Sequence, residues 1–324
     1  MESEKLEVVA VRHKRKIRFI GGKQTALVWI ILGGIIIVFG ILCGFGTFLS
    51  AQNINVILEQ GSVLGFLAAG QTFVILTGGI DLSIGGIVAF SGVITALTML
   101  TTNIPLGILA GIAIGFIMGL SNGVVSVYLR VPPFVTTLAV GSITAALALI
   151  FSNGQPIWDL PGGFYFLGSG EVIRIPFISL MMILSFFVSF WFLVKTAYGR
   201  HVYATGGNII AARANGINTN LILISVYTIS GLLSGIGGVF DAARLQSAQP
   251  LAGLDEVLPA IAAVVLGGTS LFGGEGSALG TLGGVFIMTV ITNGMNVMAL
   301  SPYWQGAVEG FVLIGAIAMA KLIA

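Results

Sequence analysis

Apolar runs recur along almost the whole chain, and they restrict its fold more than any other feature. Each run is about 20 residues long, which is the length that an α-helix needs to cross the hydrocarbon core of a bilayer. Only 8% of the 324 residues are charged and the mean hydropathy is +1.06, whereas a soluble domain carries about 25% charged residues. The strands of a membrane barrel would instead alternate over about 10 residues. The sequence therefore predicts an all-α integral membrane protein.

Polar residues, prolines and glycines divide the apolar sequence into ten predicted transmembrane helices. Their approximate spans are 25–49, 61–79, 82–101, 104–129, 133–152, 176–194, 220–239, 257–273, 279–299 and 303–323. Residues 1–24 form a basic tail before the first span, and residues 25–324 form the membrane domain. Basic residues directly before a hydrophobic span are typical of a cytoplasmic topology signal, so we interpret the tail in that way and not as a nucleic-acid-binding segment.

The basic residues are distributed unevenly between the two sides that ten crossings define. With the N-terminus inside, seven lysines and arginines lie in the tail, one at Arg130, three between residues 195 and 220, and one at Lys321. These are 12 of the 14 basic residues, and only Arg174 and Arg244 lie outside. The positive-inside rule therefore predicts that both termini and the 195–220 loop are cytoplasmic.

The longest outer loops are predicted at 152–176 and 241–257. The first contains Trp158, Phe164 and Phe166. Aromatic residues gather at the level of the lipid headgroups, and they equally suit a surface that receives an external partner. The sequence leaves both interpretations open.

The loop at 195–220 contains the pattern of a short capped helix. Asn208 is a predicted N-cap, the residues IIAARA after it give about two turns, and Asn215-Gly216 is a predicted C-cap. We interpret this segment as a helix that docks on a cytoplasmic partner. The alternative is an ordinary loop whose basic residues only set the topology.

Glycine patterns predict close packing and two breaks in the helices. Gly107, Gly111, Gly115, Gly119 and Gly123 recur every four residues and form one side-chain-free helix face. TGGIDLSIGG (77–86) resembles GGTSLFGGEG (267–276), as expected for a transporter built from duplicated halves. The break residues that we single out are Gly78, Gly79, Asp81, Gly267, Gly268 and Glu275. Asp81 and Glu275 alternatively cap helix N-termini.

A further set of polar and aromatic residues is predicted to lie within the membrane. The candidates for a translocation path are Gln71, Phe90, Asn122, Phe134, Asn293, Asn296, Trp304 and Glu309. Amides exchange hydrogen bonds with hydroxyl groups and aromatic rings cover sugar faces, so the set suits a neutral hydroxylated solute. For each single amide, a hydrogen bond between helices is the alternative.

The motifs of enzymes and of nucleotide binding are missing from the sequence. It contains no HExxH, CxxC or GxxxxGK[ST], and GxSxG occurs only as GLSNG (119–123), inside an apolar run. The single cysteine, Cys43, and two distant histidines predict neither a disulfide nor a metal site. If ATP drives this protein, ATP and Mg²⁺ must therefore bind another chain.

Five segments in order resemble the permease subunits of ribose-type ABC importers, which transport monosaccharides. They are GQTFVILTGGIDLSIGG (70–86), NGVVSVYLRVPPFVTTL (122–138), GRHVYATGGNIIAARANGI (199–217), ARLQSAQPLAG (243–253) and AIAAVVLGGTSLFGGEGSALGT (260–281). The resemblance implies a ten-helix subunit of the bacterial inner membrane and a second permease subunit. It also implies a cytoplasmic ATPase and a periplasmic or extracellular sugar-binding protein.

The resemblance also assigns the family's coupling helix. It corresponds to Gly207, Asn208, Ala211, Ala212, Arg213 and Gly216. One departure concerns the outer loop, where Val257 and Pro259 stand at positions that are often acidic in the family. The main hypothesis is an ABC-importer permease for a ribose-like sugar. The alternative is a proton-coupled transporter that uses Asp81 and Glu309 as a relay.

Overall fold

The structure is a computed structural model that describes residues 23–323, without the side chains of residues 23, 302, 309, 313 and 316–323. The basic tail up to residue 22 and the side chains of Glu309 and Lys321 therefore lie outside the described residues. The chain is helical almost throughout. In order, the helices are α1 (Lys23–Cys43), α2 (Phe45–Phe48), α3 (Ala51–Leu76), α4 (Ile84–Thr101), α5 (Ile104–Tyr128), α6 (Pro133–Phe151), α7 (Phe166–Ser169), α8 (Phe177–Lys195), α9 (Ala197–Gly207), α10 (Ile209–Ala214), α11 (Thr219–Arg244), α12 (Val257–Leu266), α13 (Ala278–Val297) and α14 (Pro302–Ile323).

Short elements complete the fold. A two-stranded antiparallel hairpin joins β1 (Glu171–Val172) to β2 (Ile175–Pro176). Single 3₁₀ turns lie at Gly162–Phe164 and Leu254–Glu256. Among the described helices, seven are long and apolar enough to cross a membrane: α1, α4, α5, α6, α8, α11 and α13. The all-α membrane fold predicted from the sequence is confirmed.

Several predicted helix boundaries are wrong: the helix predicted over 220–239 continues to Arg244, and local backbone chemistry explains three others. The first helix ends at Cys43 instead of residue 49, because Gly44 has a φ of +82°. The helix predicted from residue 61 begins at Ala51, where the Ser50 hydroxyl caps it by accepting a hydrogen bond from the Asn53 N–H at 3.2 Å. The helix predicted to reach residue 273 ends at Leu266, before the two glycines of the second break.

The glycine stripe of α5 packs as predicted. A methyl group added at Gly119 would lie 2.5 Å from the Tyr227 carbonyl oxygen, and one at Gly123 would lie 2.6 Å from Cα of Ile224. Both obstructing atoms belong to the backbone of α11. The side-chain-free face of α5 therefore lets two helix backbones come close enough for direct van der Waals contact.

The connecting segments gather at two ends of the bundle. The docking end, as we name it, contains the loop 195–218, the breaks 77–83 and 267–277, and the start of α1, where the hydroxyls of Thr25 and Ser277 lie 3.4 Å apart. The opposite end contains the loops 152–176 and 245–256, joined by a bridge between Ile157 and Ala248. In the first of these loops Phe164 is buried, whereas Trp158 and Phe166 are exposed.

Candidate functional site

The docking end carries the segment that the sequence predicted as a capped helix. The Asn208 side chain accepts a hydrogen bond from the Ala211 N–H at 2.9 Å, and helix α10 runs for six residues after it. Asn215 is the C-cap, and Gly216 follows with a φ of +79°. The predicted caps are confirmed. Helix α9 directly before α10 was missed, although Thr196, which caps it through the Gly199 N–H at 3.2 Å, is a recognisable start signal.

One side of helix α10 is buried against the rest of the protein, and the other side is exposed. Ala212 is buried against its own chain, whereas Ile210 is 78% exposed and Ile209 is 36% exposed. Gly207, Asn208 and Ala211 are also exposed. The Arg213 guanidinium is held by α11, since it donates to Thr219 Oγ1 at 2.7 Å and to Asn220 Oδ1 at 3.2 Å. The segment thus presents an apolar, outward-facing surface on a fixed support.

Helix α9 joins the two glycine-rich breaks, and we name this three-way contact the glycine junction (α9, 76–79 and 272–276). The Gly274 N–H donates to the Leu76 carbonyl at 2.9 Å, so the breaks are bonded to each other. The backbone of Gly206 lies against both Leu76 and Gly274 and leaves no space for a side chain. The Tyr203 hydroxyl donates to the Gly276 carbonyl at 2.9 Å, and burial raises the pKa of Tyr203 to about 12, so the hydroxyl keeps its proton.

Glycine is needed in the junction for its backbone conformation as well as its size. Gly78, Gly273 and Gly274 have φ values of +78°, +81° and +78°. Residues other than glycine rarely adopt a backbone conformation with positive φ. Gly268 in the second break is similar at +84°, whereas Gly267 packs against the backbone at Gly280. The similarity between the two breaks in sequence therefore corresponds to a direct contact between them.

Asp81 forms a buried polar cluster beside the junction. Its Oδ1 accepts hydrogen bonds from the Ser83 N–H at 2.9 Å and the Ser83 hydroxyl at 2.6 Å, and its Oδ2 accepts from the Ser230 hydroxyl at 2.8 Å. Asn122 donates to the Ser83 hydroxyl at 2.7 Å. The cluster therefore ties the first break to α5 and α11. Glu275, at the second break, is exposed and makes no side-chain hydrogen bond with any described residue.

A cavity of about 670 Å³ lies towards the opposite end. Its neutral polar lining comes from α3, α13 and α14, namely Gln60, Thr289, Thr292, Asn296 and Gln305. Gln305 donates to Asn296 Oδ1 at 2.6 Å, and the buried Gln60 Oε1 has no partner among the described residues. Arg244, Asp255 and Glu256 supply charges to the same lining.

Other predicted path residues lie apart from this cavity. Asn293 exchanges hydrogen bonds with Asn53 at 3.0 and 3.1 Å, which is the pairing between helices that was the alternative. The Gln71 side chain is buried and unpaired within the part of the chain described. Phe90 packs against Phe151 with ring centroids 5.7 Å apart.

Of the remaining path candidates, Phe134 and Trp304 are 55% and 65% exposed, while the Glu309 side chain is not described. Among the predicted path residues whose side chains the structure describes, only Asn296 lines the 670 Å³ cavity. Sequence reasoning missed the residues that line the cavity beside it. Thr289, Thr292 and Asn296 are spaced by three and four residues along α13, which is a signal that could have found them. Among the described residues, no group of three His, Cys, Asp or Glu side chains is placed to hold a metal ion.

Similarity to known proteins extends over nearly the whole chain. Residues 53–317 match the profile of a family described as branched-chain amino acid transport system / permease component. The ribose import permease protein of Bacillus subtilis is 39% identical over 324 residues, covering 99% of both chains. The galactose/methyl galactoside import permease protein of Salmonella typhimurium is 36% identical over 327 residues, covering 93% of this chain and 97% of that protein.

A third relative is named for another sugar. The D-allose transport system permease protein of Escherichia coli is 35% identical over 306 residues, covering 92% of this chain and 94% of that protein. No solved structure matches the chain.

Proposed function

Because this chain belongs to the family of branched-chain amino acid transport system permease components, we propose that it is the membrane-spanning permease subunit of an ATP-driven importer for a ribose-like monosaccharide. The observation that carries this proposal is the full-length similarity to the ribose import permease protein of Bacillus subtilis. Three relatives that each cover more than nine-tenths of the chain are named for sugars. We therefore place sugars before amino acids as the substrate class.

The 670 Å³ cavity is a candidate part of the sugar path. Thr289, Thr292 and Asn296 share one face of α13, and Gln60 and Gln305 line the same space. Hydroxyl and amide groups both donate and accept hydrogen bonds, as sugar hydroxyls do. Gln71, Phe90, Asn122, Phe134, Asn293, Trp304 and Glu309 remain predicted path residues that await a test.

ATP hydrolysis takes place on a separate subunit, since this permease is not an enzyme and has no phosphate-binding loop. We propose that the ATPase docks on the coupling residues Gly207, Asn208, Ala211, Arg213 and Gly216 together with the exposed Ile209 and Ile210. Ala212 supports this surface from within the chain. Movement of α9 reaches both breaks through the glycine junction, which supplies a physical connection from ATPase to membrane helices.

The assembly and topology follow from the same proposal. In this proposal the membrane is crossed ten times. Seven crossings are the membrane-length helices, and the other three are α3, α14, and the segment formed by α12 and the break that follows it. An even number of crossings puts both termini on the same side of the bacterial inner membrane as the docking end, and we propose that this side is the cytoplasm. Placement of Arg130, Arg213 and the start of α1 at this one end supports that orientation. A second permease subunit completes the path, and a sugar-binding protein delivers substrate at the opposite end.

Uptake by reconstituted vesicles tests the function. Vesicles with permease, ATPase and binding protein are expected to accumulate labelled ribose or another monosaccharide when supplied with ATP, and labelled leucine serves as the control for the amino-acid class. A proton ionophore should leave the uptake unchanged. Accumulation by the permease alone, driven by a proton gradient, would instead support the relay through Asp81 and Glu309 and overturn the ATP-driven proposal.

A further inference from the structure

A small basic cavity lies at the docking end, between the α5–α6 turn and the start of α11. Its volume is about 200 Å³, and its polar lining consists of Ser126, Arg130, Arg213, Asn220 and Tyr227. The proposed sugar path does not use this cavity, and of the proposed ATPase-docking residues only Arg213 lines it. Two arginines that line so small a space repel each other unless an anion lies between them.

Neither arginine has a counter-ion among the described residues. Arg130 makes no hydrogen bond or ion pair with any described residue. The ion pair found among the described residues joins Arg244 to Asp241. Arg213 donates from Nε and one Nη to the neutral oxygens of Thr219 and Asn220. Those bonds orient the guanidinium but leave its charge uncompensated. The positive-inside rule accounts for two arginines at this end, but it does not account for a cavity between them.

The lining between the two arginines is polar but neutral. Ser126 and Asn220 lie in it, and none of the described residues that line the cavity is acidic. Guanidinium groups bind oxyanions with several acceptor oxygens more strongly than they bind neutral acceptors. The cavity therefore suits a negatively charged group that is rich in oxygen.

The surroundings of the cavity are apolar and outward-facing. Tyr128 and Leu129 are each 68% exposed, Phe134 is 55% exposed and Leu221 is 61% exposed. These residues flank the cavity on α5, α6 and α11, all of which are of membrane-crossing length. Exposed apolar side chains beside a basic cavity at a helix end are expected where acyl chains meet headgroups.

From these observations we propose that the cavity binds the phosphate group of an anionic membrane phospholipid. Arg130 and Arg213 bind the phosphate oxygens, and Ser126 and Asn220 lie beside them in the lining. The bound lipid connects the α5–α6 turn to the Arg213 end of the coupling helix. The membrane around the permease thereby becomes a stabilising partner of its docking end. Soluble phosphate offers the same chemistry, and the experiment below separates the two sources.

The test measures ligand binding to full-length permease purified in detergent. The probes are dihexanoyl phosphatidylglycerol, dihexanoyl phosphatidylcholine and inorganic phosphate. We expect the wild type to prefer phosphatidylglycerol, and Arg130→Gln to weaken its binding about fivefold, as the loss of one interfacial charge implies. Arg200→Gln is the matched control, because Arg200 is an exposed arginine on α9 outside this cavity. Arg130→Lys keeps the charge and is expected to keep the preference, which separates binding from folding.

Several results would overturn the proposal. Equal binding of the anionic and the zwitterionic lipid, or an equal loss in Arg130→Gln and Arg200→Gln, would show that the cavity does not recognise the lipid phosphate. Inorganic phosphate that binds as tightly as phosphatidylglycerol would assign the cavity to a soluble ion. Displacement of phosphatidylglycerol by the ATPase subunit would show that an acidic protein side chain occupies the cavity in the assembled transporter.

Discussion

Asp81 illustrates how single residues hold this protein together. Its carboxylate is buried and accepts three hydrogen bonds, two from Ser83 and one from Ser230. Buried charge is costly in a membrane protein unless it is satisfied in this way. The bond from the Ser83 N–H closes a turn just before α4, so Asp81 fixes the local backbone as well as linking it to α11. Its role in the structure is therefore to fix the first break to its surroundings.

Replacing Asp81 by asparagine should destabilise the permease. Asp81→Asn keeps the shape but removes the charge, and its NH₂ group would face a hydrogen-bond donor. We expect the free energy of unfolding to fall by about 2 kcal/mol or more, since hydrogen bonds to charged groups are among the stronger ones. The measurement is thermal unfolding of the purified permease in detergent.

Glu275→Gln provides the matched control for this variant. Glu275 stands in the second break but is exposed, without a side-chain hydrogen bond to any described residue. Its replacement should leave the unfolding midpoint unchanged. Equal midpoints for Asp81→Asn and the wild type would contradict the structural role of the Asp81 cluster.

The elements that meet at the docking end are held by backbone contacts. Helix α9 lies against both breaks, and the breaks bond to each other through the Gly274 N–H and the Leu76 carbonyl. Contacts between backbones leave little freedom for one element to move alone. Helix α9, the first break and the second break are therefore expected to move as a unit when the ATPase pushes on α10.

Adjacent glycines at the end of α9 allow a sharp test of the glycine junction. A methyl group in Gly206→Ala would collide with the Leu76 carbonyl, whereas in Gly207→Ala it would meet nothing within 4 Å. Overpacking of this kind costs about 1–3 kcal/mol. We expect a lowered unfolding midpoint for Gly206→Ala and an unchanged one for Gly207→Ala, measured in detergent. If both variants unfold at the wild-type temperature, α9 is not packed on the breaks.

On the scale of the whole molecule, the two ends of the bundle differ in chemistry. The docking end gathers Arg130, Arg200 and Arg213, while the opposite end exposes Ile173 on its hairpin turn. The ion pair between Arg244 and Asp241 compensates one of the basic residues outside the docking end. This asymmetry is the physical basis for the proposed orientation, because lysines and arginines near the ends of membrane helices are retained mainly on the cytoplasmic side.

Cysteine labelling in intact cells tests the orientation. In a Cys43→Ser background, Ile173→Cys is expected to react with a membrane-impermeant maleimide added outside. Arg200→Cys should react only after the membrane is permeabilised, because it lies at the docking end. Both native side chains are exposed, so accessibility to the reagent is comparable apart from the membrane. Labelling of Arg200→Cys in intact cells would reverse the proposed topology.

Patterns along the chain predicted much of this fold, because they depend on nearby residues. Apolar runs predicted the membrane helices, Asn208 predicted the start of α10, and the stripe from Gly107 to Gly123 predicted a close helix contact. Two locally readable signals were nevertheless missed, namely the start of α3 at Ser50 and helix α9. Prediction failed more deeply for the candidate path, since residues on different helices were grouped without knowledge of which faces meet.

By itself the sequence determined the class of this protein, its family and the local caps, since hydropathy, motifs and capping act over a few residues. Tertiary structure alone decided that Asn293 pairs with Asn53, that Asn296 joins Gln60 and Gln305 at a cavity, and that α9 touches both breaks. It also brought Arg130 and Arg213 together from segments more than 80 residues apart. Such contacts depend on how helices rotate and pack against each other, which no local pattern encodes.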